Sequence, residues 1–303
     1  MLRLPGHWVW DSWIADTGGE YHLFFLKAPR ALGDPDRRHE AATIGHATSE
    51  DLTRWTIQPD ALVPAATGWD DLALWTGSVV LGHDGVWRLF YTALSTAGHG
   101  TFDQRIGLVE SADLRTWHRV RESPVLEADP RWYRTLDGRG PASETWRDPF
   151  VFADPGGDGW HMLVTAREKA GRGVLAHARS HDLREWELGP PVAGPSAFRE
   201  VEVPQVRVVD GRPLLTFTCH PRQQSAARRA GGDYCTWTVL GESVTGPWDL
   251  TRARPFTAEP ALFAAPLVCR RDGTWAYLGF RLPDFHVVDP IPVRLAGHAL
   301  VAG

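Results

Sequence analysis

The apolar and polar positions of this chain repeat one pattern five times. Each copy has a short apolar run, a tight glycine-containing turn, and a second run rich in aromatic and β-branched residues. The copies read SWIADTGGEYHLFF from Ser12, GSVVLGHDGVWRLFY from Gly77, PFVFADPGGDGWHMLV from Pro149, PQVRVVDGRPLLTF from Pro204 and APLVCRRDGTWAYLGF from Ala265. Each predicts a β-hairpin, because Gly-Gly and Asp-Gly supply the positive φ angles that primed turns need. The second glycines, Gly19, Gly85, Gly159, Gly211 and Gly273, recur roughly every 50 to 75 residues.

A second signature follows the first three hairpins: IGHATSEDLTRW to Trp55, IGLVESADLRTW to Trp117 and VLAHARSHDLREW to Trp186. A degenerate fourth copy, TVLGESVTGPW, ends at Trp248. The alternating start of each predicts a half-buried third strand. Ser-x-Asp-Leu suits a turn in which side chains bond nearby backbone amides, and the closing Trp opens a short fourth strand. Four strands in each of five units predict an all-β, single-domain five-bladed β-propeller over residues 1–303. A β-sandwich would not carry this periodicity. The last unit is the least regular, with FHVVDPIPVRL in place of the signature. The longest irregular stretches, Glu127–Thr145 and Pro221–Asp233, are expected as loops near the mouth.

Composition narrows the picture. With 43% hydrophobic residues and 15 Trp, the chain can bury a large core. A net charge of −5 with interspersed signs gives no basic footprint for nucleic acid. There is no apolar run of membrane-spanning length. The start, MLRLPGHWVWDSW, lacks the apolar core of a secretory signal. Cys219, Cys235 and Cys269 are odd in number and lack metal-ligand spacing, so buried thiols and a cytoplasmic location are expected. No metal and no cofactor is expected.

Three acids stand at comparable places in their repeats, 8 to 11 residues before the turn glycine: Asp11, Asp148 and Glu202. Each alone has a bland explanation: a turn-capping Asp, a surface Arg147–Asp148 pair, a solvated strand edge. In a radial array they converge just before the first strands, at one mouth. Several inward carboxylates among tryptophans suit glycoside cleavage, which needs one protonated acid and one ionised partner. Arg147 is expected to keep Asp148 ionised, and Glu200 to raise the pKa of Glu202. Trp10 and Trp75 offer indole faces to a sugar ring.

These stretches resemble the five-bladed propeller glycosidases of the levansucrase and invertase (β-fructofuranosidase) superfamily. VWDSW (Val9–Trp13) is similar to the levansucrase nucleophile motif, and WTGS (Trp75–Ser78) to its W-S-G-S segment. Trp146–Pro149 matches the R-D-P motif, and REVEVP (Arg199–Pro204) resembles the motif around the acid/base. The resemblance implies Asp11 as nucleophile, Asp148 as transition-state stabiliser and Glu202 as acid/base. It implies Trp10, Trp75, Ser78, Arg147, Glu200 and Arg222 as substrate-binding residues. The expected activity is that of a retaining β-fructofuranosidase-like enzyme that cleaves or transfers fructosyl units of a small carbohydrate. An inverting arabinofuranosidase or xylosidase and a non-catalytic sugar-binding propeller are the alternatives. No acidic calcium-binding loop is evident, and loops shorter than those of levansucrases imply a wider or shallower pocket.

Overall fold

The structure, a computed structural model, describes residues 1–98, 103–136 and 145–303. Alternating apolar and polar positions build five antiparallel four-stranded blades, with four strands ordered in sequence from the axis outward in blades one to four. Blade one holds β1 (His7–Asp16), β2 (Tyr21–Pro29), β3 (Thr43–Ser49) and β4 (Thr56–Leu62). Blade two holds β5 (Ala73–Leu81), β6 (Trp87–Leu94), β7 (Arg105–Ser111) and β8 (His118–Arg119). Blade three holds β9 (Trp146–Ala153), β10 (Trp160–Arg167), β11 (Gly173–Ser180) and β12 (Glu187–Leu188). Blade four holds β13 (Glu202–Val209), β14 (Arg212–Thr218), β15 (Thr236–Leu240) and β16 (Arg254–Pro255). After β17 (Leu262–Phe263), blade five holds β18 (Leu267–Cys269), β19 (Trp275–Tyr277), β21 (Ile291–Ala296) and β22 (Ala299–Ala302), while β20 (Phe280–Arg281) pairs with β17. The irregular last unit is thus a full blade whose first two strands are interrupted.

The first and last segments close the ring through main-chain hydrogen bonds. Leu2 N donates to Val287 O (2.9 Å), Val287 N donates to Leu2 O (3.1 Å), and Val9 N donates to Phe285 O (3.2 Å). Blades pack on one another through aromatics: Trp117 of blade two lies edge-on to Phe24 of blade one, and Trp186 of blade three edge-on to Phe90 of blade two. Most of the repeat tryptophans therefore serve packing.

The Ser-x-Asp-Leu corners fold alike. Asp51, Asp113 and Asp182 each accept backbone N–H bonds from the next residues and a hydroxyl from Ser49, Ser111 or Ser180. The following Leu52, Leu114 and Leu183 are buried in left-handed conformation, with φ of 65°, 61° and 66°. The fourth copy departs from this. Ser243 bonds Thr245 instead of an aspartate, a 3₁₀ turn (Leu250–Arg252) follows Trp248, and the outer strand starts only at Arg254.

Two expectations change in detail. Among the described residues only the Asp210-Gly211 corner has both central residues at positive φ, as a type I′ turn needs. At Gly85 and Gly273 the preceding Asp instead accepts an N–H two residues on, from Val86 (3.2 Å) and Thr274 (2.9 Å). The Asp there is a side-chain acceptor, and the glycine alone turns left-handed. Of the loop Glu127–Thr145, residues 137–144 lie outside the described residues. The second loop forms a 3₁₀ turn (Pro221–Gln223) and a short helix (Ala226–Arg229).

Candidate active site

The innermost strands of the first four blades are all irregular at the same level. Pairing slips between Trp10 and Ser12 in blade one, between Trp75 and Gly77 in blade two, across Asp148-Pro149 in blade three and across Val203-Pro204 in blade four. A β-bulge leaves a residue without a partner and re-aims its side chain. Here the residues so displaced are Asp11, Thr76, Asp148 and Val203. Asp148 and Val203 take positive φ (57° and 48°), and the prolines that follow have no N–H to leave unpaired. At Gly77 an added Cβ would lie 1.9 Å from the Phe90 carbonyl oxygen, so the bulge in blade two admits only glycine there. Asp11 and Asp148 consequently lie inside their strands and Glu202 opens β13, rather than all three standing before the first strands.

Hydrogen bonds link these bulges round the axis. The Thr76 hydroxyl donates to Asp11 Oδ2. Asp148 N donates to Thr92 Oγ1 (2.9 Å), whose hydroxyl donates to Thr76 O (3.0 Å). Val203 N donates to Asp148 Oδ2 (3.1 Å), and the Thr165 hydroxyl lies 3.0 Å from the same oxygen. Four separate blades thereby fix the acids relative to one another.

The acids open into a cavity of about 470 Å³. Asp11, Asp148 and Glu202 line it together with Trp10, Trp75, Arg147 and Glu200, so seven of the nine expected site residues meet in one place. Arg147 Nη2 donates to Glu202 Oε1 (2.6 Å) and Glu200 Oε2 (3.2 Å), and its Nε lies 3.6 Å from Asp148 Oδ2. Arg167 pairs with the other oxygen of Glu200.

Electrostatics refine the expected roles of these neighbours. Burial pushes the Asp148 carboxyl up to about 6 even though Arg147 pulls the other way. Loss of water outweighs one adjacent cation. Arg147 stands between Glu200 and Glu202 and bonds both, so the two glutamates do not face each other as bare like charges. Burial and the nearby Asp148 raise Asp11 to about 7, against the Thr76 hydroxyl and Arg38. His39 is driven down to about 3 by burial and by Arg38 and Arg147, so its ring is neutral.

Two expected residues fall elsewhere. Ser78 lies past the bulge on a second cavity of about 490 Å³, where its hydroxyl accepts the Val151 N–H (3.0 Å) and ties blade two to blade three. Arg222 is exposed on the 3₁₀ turn and does not line the acidic cavity; its neighbour His220 does. The sequence reading missed Arg38, His39, Thr76, Gln104 and Arg167, which also line that cavity. Arg38 and His39 belong to the charge run of a 3₁₀ segment (Pro35–Glu40), which reads as a solvated loop. Only the place of Thr76 in a WTGS stretch, parallel to WDSW, was a usable signal. Among the described residues, no group of three or more His, Cys, Asp or Glu side chains is arranged to hold a metal ion.

Comparison with known proteins agrees with this arrangement. The profile of the glycosyl hydrolases family 32 N-terminal domain matches residues 12–241. A β-fructofuranosidase of Arabidopsis thaliana is 30% identical over 193 residues, covering 59% of this chain and 32% of that protein. A levanase of a Bacillus species is 31% identical over 160 residues, covering 48% and 15%. An extracellular exo-inulinase of Aspergillus niger is 30% identical over 206 residues, covering 58% and 35%. The chain thus matches about a third or less of the length of these curated relatives. Among solved structures, the inulosucrase of Halalkalicoccus jeotgali bound to kestose superposes with a TM-score of 0.80 at 22% identity, covering 98% of this chain and 87% of that one. Bacillus subtilis levansucrase gives 0.75 at 14%, covering 99% and 86%. At these identities the two structures speak for the fold alone.

Proposed function

The chain belongs to glycosyl hydrolase family 32, and from that premise we propose that it is a retaining β-fructofuranosidase-like enzyme acting on sucrose or short fructosides. The observation that carries the reading is the convergence of Asp11, Asp148 and Glu202 on one tryptophan-lined cavity, Asp11 and Asp148 within irregularities of their strands and Glu202 immediately before one. Family relatives whose names specify fructosides, from β-fructofuranosidase to exo-inulinase, support the sugar.

In this reading the Asp11 carboxylate attacks the anomeric carbon. Glu202 gives its proton to the leaving oxygen, the carbon–oxygen bond breaks, and a fructosyl ester forms on Asp11. Glu202 then takes a proton from water, the hydroxide attacks the same carbon from the opposite face, and Asp11 is released. Two inversions give net retention. Asp148, held by the Val203 N–H and the Thr165 hydroxyl, accepts hydrogen bonds from sugar hydroxyls as positive charge builds on the ring. Arg147 orients Glu202 through the 2.6 Å bond. Trp10 and Trp75 flank the sugar, and Trp75 is fixed by its indole N–H donating to His39 O (2.7 Å).

Incubating the protein with sucrose, short fructo-oligosaccharides and aryl arabinofuranosides, and following product anomers by NMR, tests the reading. Fructose release with retention that disappears in Asp11→Asn is the expected result. Release with inversion, or turnover that survives Asp11→Asn, would sink it.

A further inference from the structure

We propose that Arg38 is a positioning residue for Asp11: held in the same cavity by two aromatic rings, it supplies positive charge that favours the anionic form of the nucleophile. This rests on the assignment of Asp11 given above. Arg38 comes from the 3₁₀ segment inserted between the second and third strands of blade one, so it reaches the cavity from the same blade as Asp11.

Its guanidinium is held by packing. The guanidinium carbon lies 5.4 Å from the Trp10 ring centroid and 4.7 Å from that of Phe285. Trp10 is the residue immediately before Asp11, and Phe285 is in the segment that closes the ring. Nη1 donates to Pro35 O (2.7 Å), while Nε is buried with no hydrogen-bond partner among the described residues. Among the described residues the carboxylate nearest to Arg38 is Asp36, 3.6 Å away and 94% exposed, so water screens most of what it neutralises. Arg38 itself is 12% exposed. A guanidinium does not shed its proton in a protein, so its charge acts mainly on what shares its cavity.

Asp11 needs such a charge. Asp148 and Glu202 both oppose its ionisation, and Arg147, which also feels Asp11, makes its direct contacts with Glu202, Glu200 and Asp148 instead. His39, between the Trp10 and Trp75 rings, is neutral and gives no help. Thr76 supplies a hydrogen bond but no charge. Arg38 forms no direct ion pair with Asp11, so it acts through space and leaves the carboxylate available for attack. It also lowers the Asp11 pKa against burial, in line with this placement.

The test reads the Asp11 proton directly. The carboxyl carbons of aspartate-labelled protein are titrated by carbon-13 NMR in the unsubstituted chain, Arg38→Met and Arg38→Lys, with Asp11→Asn identifying the signal. Arg38→Met should raise the Asp11 midpoint by about one pH unit, and Arg38→Lys should restore most of it. On a fructoside that the protein turns over, the acid limb of kcat/KM should move with it. The loss in Arg38→Met should reach about tenfold at low pH and shrink as pH rises. An Asp11 midpoint that does not move in Arg38→Met, or one that moves equally in both variants, overturns the proposal. A pH-independent loss of activity in both variants does the same, since it would mark a purely structural role. Failure of the nucleophile assignment would show separately, as turnover that persists in Asp11→Asn while the NMR shift is still seen.

Discussion

Asp113 and Asp148 are both aspartates at an irregularity of the β-structure, yet their surroundings give them opposite chemistry. Asp113 sits in the outer corner of blade two, exposed, and accepts the N–H groups of Arg115 and Thr116 (each 2.8 Å) and the Ser111 hydroxyl (3.0 Å). Those bonds hold its carboxyl below the usual range. Asp148 sits in the inner bulge of blade three and also accepts an N–H and a hydroxyl, with a guanidinium 3.6 Å away. Its carboxyl is nevertheless pushed up to about 6. The donors are similar in number; the difference is water. At the outer corner solvent still covers the charge, so each donor lowers the pKa. At the inner bulge solvent is gone and other acids are near, so the donors only moderate a cost already incurred. The outer corner spends its carboxylate on holding a turn, and the inner bulge spends local stability on holding a carboxylate.

The largest effect that separates the two regions is on turnover. Asp11→Asn removes an inner acid without changing its size, and the rate of fructoside cleavage should fall at least about 10³-fold. Its melting temperature at pH 7.5 should hold or rise, because a carboxylate that is costly to ionise in the fold is gone. A loss of thermal stability alongside the loss of rate would mean that Asp11 holds the bulge together, and the contrast with the outer corner would collapse.

Next come the left-handed residues. At the outer corner the strained position is Leu114, fully buried at φ 61°, while at the inner bulge it is Asp148 itself. Leu114→Ala should cost about 3 kcal/mol by emptying the core. Leu114→Gly loses the same contacts but relaxes the backbone, so it should cost about 1 kcal/mol less than the alanine. Urea unfolding midpoints of the two variants give the comparison. If glycine proves worse than alanine, the corner is not strained in the sense argued.

Stability against pH sharpens the comparison further. Asp11 is raised from 3.8 to about 7 and Asp148 to about 6, so the folded protein holds more protons than the unfolded chain between those values. The stability they contribute is complete below pH 4 and is lost as pH rises toward 7. The outer aspartates are depressed, so their contribution is constant above pH 4 and is lost only as pH falls below it. Unfolding free energy should therefore fall by up to about 5 kcal/mol between pH 4.5 and 7.5, the larger share from Asp11. Asp11→Asn should flatten much of that slope. A slope unchanged in Asp11→Asn would assign it to other groups.

The two regions also differed in how well the sequence revealed them. The outer corners were legible because their function is local: Ser, Asp, Leu and Trp act on amides within a few residues, and the pattern repeats at Ser49, Ser111 and Ser180. The propeller followed from that repetition. The acids were legible as a set, since Asp11, Asp148 and Glu202 keep comparable distances from their turn glycines. Their electrostatics were not, because whether Arg147 pairs with Asp148 or bridges Glu200 and Glu202 depends on contacts between blades. Ser78 was misplaced because a bulge at Thr76 shifts which side of β5 faces the acids. Arg222 was misplaced because its neighbour His220 is the one that turns inward. Arg38 was missed because a run of charges looks solvated until two aromatic rings from distant segments close on it.

The smallest expected effect is at the outer carboxylate itself. Asp113→Ala deletes the acceptor of two backbone N–H groups, but both are exposed and turn to water. The cost should be about 1 kcal/mol at neutral pH, the scale of a lost helix cap. Acid should erase this difference, because the Asp113 carboxyl is itself protonated as pH falls through its depressed pKa, and the two proteins then converge. kcat and KM should be unchanged at every pH, since Asp113 shares no hydrogen bond with the inner bulges. Chemical denaturation of both proteins at pH 7.5 and in strong acid, with a rate measured at the former, decides it. A change in kcat would mean that the outer corner of blade two transmits strain through β7 and β6 to Thr92, the hydroxyl that supports Asp148. The outer and inner irregularities would then be one mechanical unit instead of two independent uses of the same residue.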